Sequence, residues 1–161
     1  MAGGPQTLRV RGHTSELARV RRRVAAWAEA AGLAERPARR IQMAVDEAIA
    51  NAIEHGMDDA DRGRVIVHGA PASGRLTVTI RYRGERFDPT TAPARPASET
   101  VRRHAQHGYG LHLIRTLVDD VAYRWDRGAN EVTLTASGRD GQAGRPRGGR
   151  PRGGRPRGGR A

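Results

Sequence analysis

A glutamate, an asparagine and a histidine recur at every fourth position in Asp46-Glu47-Ala48-Ile49-Ala50-Asn51-Ala52-Ile53-Glu54-His55-Gly56. On an α-helix turning about 100° per residue, Glu47, Asn51 and His55 form one polar stripe. The stripe runs along an edge of the apolar face rather than opposite it. An asparagine carbonyl is a neutral oxygen donor suited to a hard cation such as Mg2+ beside phosphate. A carboxylate one turn away can accept a proton or hold a water. Together they can share one polar ligand. The plain alternative is i,i+4 pairing on a surface helix, and this helix alone leaves both open.

Two further segments carry weaker chemistry. Gly108-Tyr109-Gly110-Leu111-His112-Leu113 precedes a helical pattern. Glycines there let backbone approach a ligand, and a helix N-terminus offers unpaired N–H groups to a phosphate. The alternative is a simple flexible start to a helix. Arg83-Gly84-Glu85-Arg86-Phe87-Asp88-Pro89 follows a strand pattern and by itself reads as a turn.

The elements that position these segments are legible from periodicity. Thr7 to Arg11 alternates as a short edge strand. Thr14 and Ser15 offer N-caps, and Leu17, Val20, Val24, Trp27, Ala28 and Ala31 follow at helical spacing to a stop at Gly32. Arg19 and Arg21 to Arg23 lie on the exposed face of that helix and read as a solvated face. Pro37 restarts a helix, in which Ile41, Ala44, Val45, Ala48, Ile49, Ala52 and Ile53 form an apolar stripe ending at Gly56. Arg64–Gly69 and Arg75–Tyr82 read as strands joined by the turn-rich Ala70-Pro71-Ala72-Ser73-Gly74. Thr90 to Gln106 has no period and reads as a long irregular loop. Leu111, Leu113, Ile114, Leu117 and Val118 give a third helix. Val121–Trp125 and Glu131–Ala136 make a last hairpin around Arg127-Gly128-Ala129-Asn130. The order predicts an α/β two-layer sandwich. A mostly antiparallel sheet of about five strands is covered on one face by three helices.

Composition bounds the function. The 161 residues suit one domain and a tail. With no cysteine there are no disulfides, thiol nucleophiles or cysteine metal sites. No apolar run reaches the ~20 residues of a membrane span, and the first twenty residues lack an apolar signal core. A cytoplasmic protein without membrane contact is the expectation. The net charge of +12 is uneven. Residues 138–161 hold eight arginines and one aspartate, a net +7.

In combination and order, the three chemical segments resemble the anti-sigma-factor serine/threonine kinases. These belong to the ATPase superfamily shared by DNA gyrase, heat-shock chaperones and histidine kinases. Glu47, Ala48, Asn51, Ala52, His55 and Gly56 match the family's E-A-x-x-N-A-x-x-H-G box. Phe87-Asp88-Pro89 matches its F-D-P, and Gly108-x-Gly110-Leu111-His112-Leu113 matches its glycine box. The resemblance covers roughly residues 7–137, with residues 1–6 expected as a disordered N-terminus. It implies the histidine-kinase-like ATPase fold, with ATP and Mg2+ as cofactors. It also implies a sigma factor and an anti-anti-sigma protein as partners, and a homodimer as the family's frequent state. Glu47 would be the base that activates a partner serine, and Asn51 would hold Mg2+. Gly84 would line the base pocket, and Gly108, Gly110 and Leu111 would shape the lid over the phosphates. One position departs from the pattern. Where the family carries an aspartate that accepts from the adenine amino group, two residues before Gly84, this chain has Tyr82. A phenol there accepts without charge near neutral pH.

Two rival readings accompany this one. With Tyr82 in the aspartate's place, the chain would be a nucleotide-poor pseudokinase that sequesters a partner. The other is a nucleic-acid-tethered regulator acting through its tail. Residues 138–161 repeat Arg-Pro-Arg-Gly-Gly from Arg145, Arg150 and Arg155, with no apolar residue to bury before Ala161, and are expected to be disordered. The Gly-Arg-Pro steps partly match minor-groove peptides and the Arg-Gly-Gly steps match RNA-binding segments. A solubilising tail is the alternative.

Overall fold

Alternation of buried and outward residues builds the sheet. The computed structural model describes residues 5–57, 63–88 and 110–138. Within them the strands are β1 (Gln6–Arg11), β2 (Arg64–Ala72), β3 (Arg75–Arg83), β4 (Asp120–Asp126) and β5 (Ala129–Ser137). Their order is β1-β2-β3-β5-β4, and every neighbouring pair is antiparallel. Val65 and Val67 on β2, Leu76, Val78, Ile80 and Tyr82 on β3, and Val132 and Leu134 on β5 point to one face and are buried. The opposite face carries threonine pairs, Thr77 with Thr135 and Thr79 with Thr133, and the Arg81–Glu131–Arg124 ion-pair row.

Helices cover the buried face. A 3-10 turn at Thr14–Glu16 leads into α1 (Leu17–Ala30); α2 is Glu35–Asn51 and α3 is Gly110–Leu117. α1 buries Val20, Val24, Trp27 and Ala28, and α2 buries Ile41, Ala44, Val45, Ala48 and Ile49. The Trp27 ring lies over Gly69 of β2, where any Cβ would collide with it. The indole N–H donates to Gln6 Oε1 at 3.1 Å. A tie at one end of the sheet fixes the α1–α2 connection: Gly74 N–H donates to Ala31 O, Gly138 N–H to Gly74 O and Ala34 N–H to Gly138 O. No helix among the described residues is long and apolar enough to cross a membrane.

Several boundaries differ from the sequence expectation for physical reasons. α2 starts at Glu35, before Pro37, because a missing N–H costs nothing in a helix's first turn. The β2–β3 hairpin turns over Ser73-Gly74 alone, with Gly74 at φ +73°. Ala70 to Ala72 continue the strand. β1 ends opposite Gly69, so Pro71 sits where β2 has only β3 beside it, an edge position that tolerates proline. The last hairpin likewise turns over Arg127-Gly128 alone, at φ +50° and +74°, the double left-handed geometry that matches strand twist. The expected loop at 90–106 and the tail from 139 lie outside the described residues.

Candidate functional site

Small side chains let α2 approach the sheet closely. Ala44, Ala48 and Ala52 recur every fourth residue and are buried. They carry the neighbouring polar positions inward with them. Asn51, at the last residue of α2, is only 5% exposed, and its Nδ2 has no hydrogen-bond partner. A buried amide donor left unpaired costs free energy unless something supplies an acceptor. Glu47 lies one turn earlier and is half-buried.

Directly after Asn51 the helix widens into a π turn, Ala52–Gly56. Such i→i+5 turns are rare and cluster at functional sites. Its local effect is to end the four-residue spacing. Glu47 and Asn51 keep the expected relation, but His55 leaves the stripe. It is exposed and its ring sits 6.0 Å from that of Phe87.

The π turn brings Gly56 against β3. A Cβ on Gly56 would come within 2.6 Å of Tyr82 Cε2 and 2.9 Å of Tyr82 Oη. Gly84, at φ +153°, presses on the Gly56 carbonyl so closely that any side chain there would overlap it. Tyr82, Gly84 and the end of α2 are therefore one packed unit. Tyr82 is 3% exposed. Burial pushes its phenol well above the usual range, and neighbouring Tyr123 adds to the rise. Its hydroxyl makes no hydrogen bond among the described residues.

Asn130, read from sequence only as part of a turn, is the polar hub beside this unit. It pairs with Tyr82 across β3 and β5 and is fully buried. Its Oδ1 accepts from Phe87 N at 2.9 Å and from Tyr123 Oη at 2.7 Å; its Nδ2 donates to Glu85 O at 2.8 Å. Asn130 thus fixes the segment after Gly84 to the sheet. Burial raises the Tyr123 phenol too, against a lowering by Arg86. The only sequence signal was an amide at a position whose strand parity, shared with Val132 and Leu134, points inward.

Asp46 faces the other way from Glu47 and pairs with Arg21 of α1. Burial raises its carboxyl, opposed by Arg21. α3 lies along α2, where Arg40 Nη2 donates to Thr116 O at 3.2 Å. Gly110 opens α3 and Leu111 is in its first turn; Gly108 lies outside the described residues. The structure thus joins Asn51, Tyr82 and Gly84 through Gly56, with Glu47 one turn back on the same helix. No cluster of three or more His, Cys, Asp or Glu able to hold a metal occurs among the described residues. Mg2+ needs no such cage, since it keeps waters and phosphate oxygens and takes one or two protein oxygens. The buried Asn51 carboxamide, with an amide atom still unpaired, fits that sparse role.

An open antiparallel sheet with helices on one face, and a polar helix end packed on a glycine of the third strand, defines a two-layer ATPase-type sandwich. The chain belongs to the histidine kinase-like ATPase domain family, whose model matches residues 11–136. It is 33% identical over 100 residues to the serine-protein kinase RsbW of Bacillus velezensis, covering 59% of this chain and 61% of that protein. It is 31% identical over 109 residues to RsbW of Listeria monocytogenes, covering 65% and 69%. Against RsbW of Oceanobacillus iheyensis the match spans 54% of the relative, so the chain spans between about half and two-thirds of these relatives' length. The solved RsbU and RsbW domains of Rv1364c from Mycobacterium tuberculosis share the fold. The TM-score is 0.59 at 21% identity, over 84% of this chain and 32% of that one.

Proposed function

We propose that this protein binds a nucleoside triphosphate with Mg2+ and transfers the terminal phosphoryl group to a serine of an anti-anti-sigma partner. In its other state it would hold a sigma factor. The observation that carries the reading is the buried, unpaired Asn51 amide at the end of α2, one turn from Glu47 and against the Gly56–Tyr82–Gly84 unit. The similarity to RsbW serine-protein kinases supports it.

In this reading the Glu47 carboxylate accepts the proton of the attacking serine hydroxyl as its oxygen bonds to the terminal phosphorus. The bond from that phosphorus to the bridging oxygen breaks, and the nucleoside diphosphate leaves. Mg2+, held by Asn51, would neutralise charge on the phosphate oxygens. Asn51 also orients the phosphates toward Glu47. The close Gly56–Gly84 backbone contact gives the base a rigid wall. Phosphoryl transfer relies mainly on positioning and charge neutralisation, which a site this small can supply. Calorimetry with Mg-nucleotide on the whole chain tests the first half. Saturable binding is the expected result; no heat and no competition with any triphosphate would refute it.

A second reading is favoured by Tyr82. Its neutral phenol stands where the family carries a carboxylate, so the chain would sequester a partner without turnover. The two differ in labelled phosphate on a partner serine: transfer supports the first, and partner binding without transfer supports the second.

A further inference from the structure

Given the nucleotide-binding reading above, the hydrogen-bonding pattern around Tyr82 states which base the site takes. The Tyr82 ring is buried against Gly56, and its hydroxyl has no partner among the described residues. The nearest polar side chain across the sheet offers it nothing. Asn130 Oδ1 has two lone pairs, and both are already used by Phe87 N–H and the Tyr123 hydroxyl. Asn51, at the other side of the unit, presents a second unpaired donor, Nδ2. The two unpaired polar groups of the described site are thus an O–H and an N–H, so the ligand they suit brings acceptors.

A carboxylate and a phenol read opposite partners. The carboxylate only accepts, so it suits the amino group on C6 of adenine. The phenol carries a hydrogen that needs an acceptor. Guanine and hypoxanthine present a carbonyl oxygen at C6, and adenine presents an amino donor there. Against adenine the Tyr82 oxygen would accept while its own O–H stayed buried and unpaired. Against a 6-oxopurine the same O–H is satisfied by O6. We propose that the site selects a 6-oxopurine nucleoside triphosphate over ATP, with Tyr82 Oη donating to O6 of the base. Burial keeps the phenol protonated throughout the physiological range, so the donor is present at every pH at which the protein would act.

The test is calorimetry of the full chain with Mg-ATP, Mg-GTP and Mg-ITP. ITP isolates the C6 oxygen from the 2-amino group of guanine. Leaving a buried donor unpaired is worth about a factor of ten in affinity. The expected result is ITP and GTP bound roughly tenfold more tightly than ATP. Tyr82→Phe is expected to erase the difference by weakening ITP, and Tyr82→Asp to reverse it in favour of ATP. ATP bound as tightly as ITP by the wild-type chain would overturn the inference and leave nucleotide binding standing. So would a preference that survives Tyr82→Phe. If no triphosphate binds the wild-type chain but ATP binds Tyr82→Asp, the tyrosine blocks the base and the inference fails. If none binds either chain, the protein is not a nucleotide binder and both fail. The wild-type ATP-to-ITP ratio needs no variant, so it decides the matter even where a substitution unfolds the domain, which circular dichroism reports.

Discussion

Tyr123, on the edge strand β4, donates its phenol hydrogen to Asn130 Oδ1 across 2.7 Å, and the same oxygen accepts from the backbone of Phe87. One amide therefore joins three segments: the β4 edge, the β5 start and the stretch following Gly84. Asn130→Ala would orphan the Phe87 N–H, the Glu85 carbonyl and the Tyr123 hydroxyl together. We expect a loss of about 2–4 kcal/mol of unfolding free energy in urea, and about 1 kcal/mol for Tyr123→Phe. Faster amide exchange at Phe87 in Asn130→Ala checks the local part.

Gly69→Ala is expected to destabilise by about 1–3 kcal/mol, since its methyl would overlap the Trp27 ring and force the α1–β2 contact apart. A red-shifted tryptophan emission would accompany the loss. A thermal midpoint equal to that of wild type would show that the ring moves freely.

Asp46 inverts the usual acid behaviour of a carboxylate. Its folded pKa is raised above the model value of 3.8, chiefly by burial, so the folded state binds the proton more tightly than the unfolded state does. Stability from this group is present below pH 3.8 and is lost as pH rises from there through the raised folded pKa. Arg21 limits the size of the effect. Asp46→Asn removes the titration, so its stability relative to wild type is expected to increase with pH across that window. Urea unfolding at several pH values measures the trend, and a relative stability that falls with pH would contradict it.

Glu47→Gln is expected to lower phosphoryl transfer by about 10²–10⁴, the range for a lost general base, while nucleotide affinity stays within roughly threefold. Asn51→Ala is expected to lose both transfer and Mg2+-dependent affinity. Equal, mild effects of the two would show that the helix stripe is only a surface pair. Labelled-phosphate transfer and calorimetry on the same preparations make the comparison.

The arginine repeats are open to a separate measurement. If about five of them meet phosphates, log affinity for duplex DNA should fall against log salt with a slope of about −4 to −5. Deleting residues 145–161 should remove that binding and leave the thermal midpoint unchanged. A truncated chain that binds equally well would move the interest to Arg19 and Arg21 to Arg23 on α1.

Strands and helices were legible where one face alone is buried. Leu76, Val78 and Ile80 alternate strictly on β3, and Ile41 to Ile49 recur at helical spacing on α2. Hairpin limits were not. Pro71 looks like a turn residue until the length of β1 shows that its nitrogen has no strand to serve. Glu47, Asn51 and Gly84 stood out through side-chain type and family resemblance, and Tyr82 as a departure from it. Asn130 did not, because polar residues next to Gly128 have the composition of a turn and only the packed sheet reveals the burial. The π turn also escaped the periodicity, which records side-chain faces and not which carbonyl each N–H meets.

That π turn amounts to one residue more than an α-helix would use between Asn51 and Gly56. Deleting a single residue from 52–55 would restore ordinary winding. Everything beyond would swing by about 100° around the helix axis, with Glu47 and Asn51 unmoved. Gly56 would then turn away from Tyr82 and Gly84, the two places that tolerate no side chain between them. The chain would keep its charged and amide groups and lose the wall opposite them. Substitution can alter the chemistry of this site residue by residue, but its geometry depends on a count, and a one-residue frame change in this short stretch separates the two.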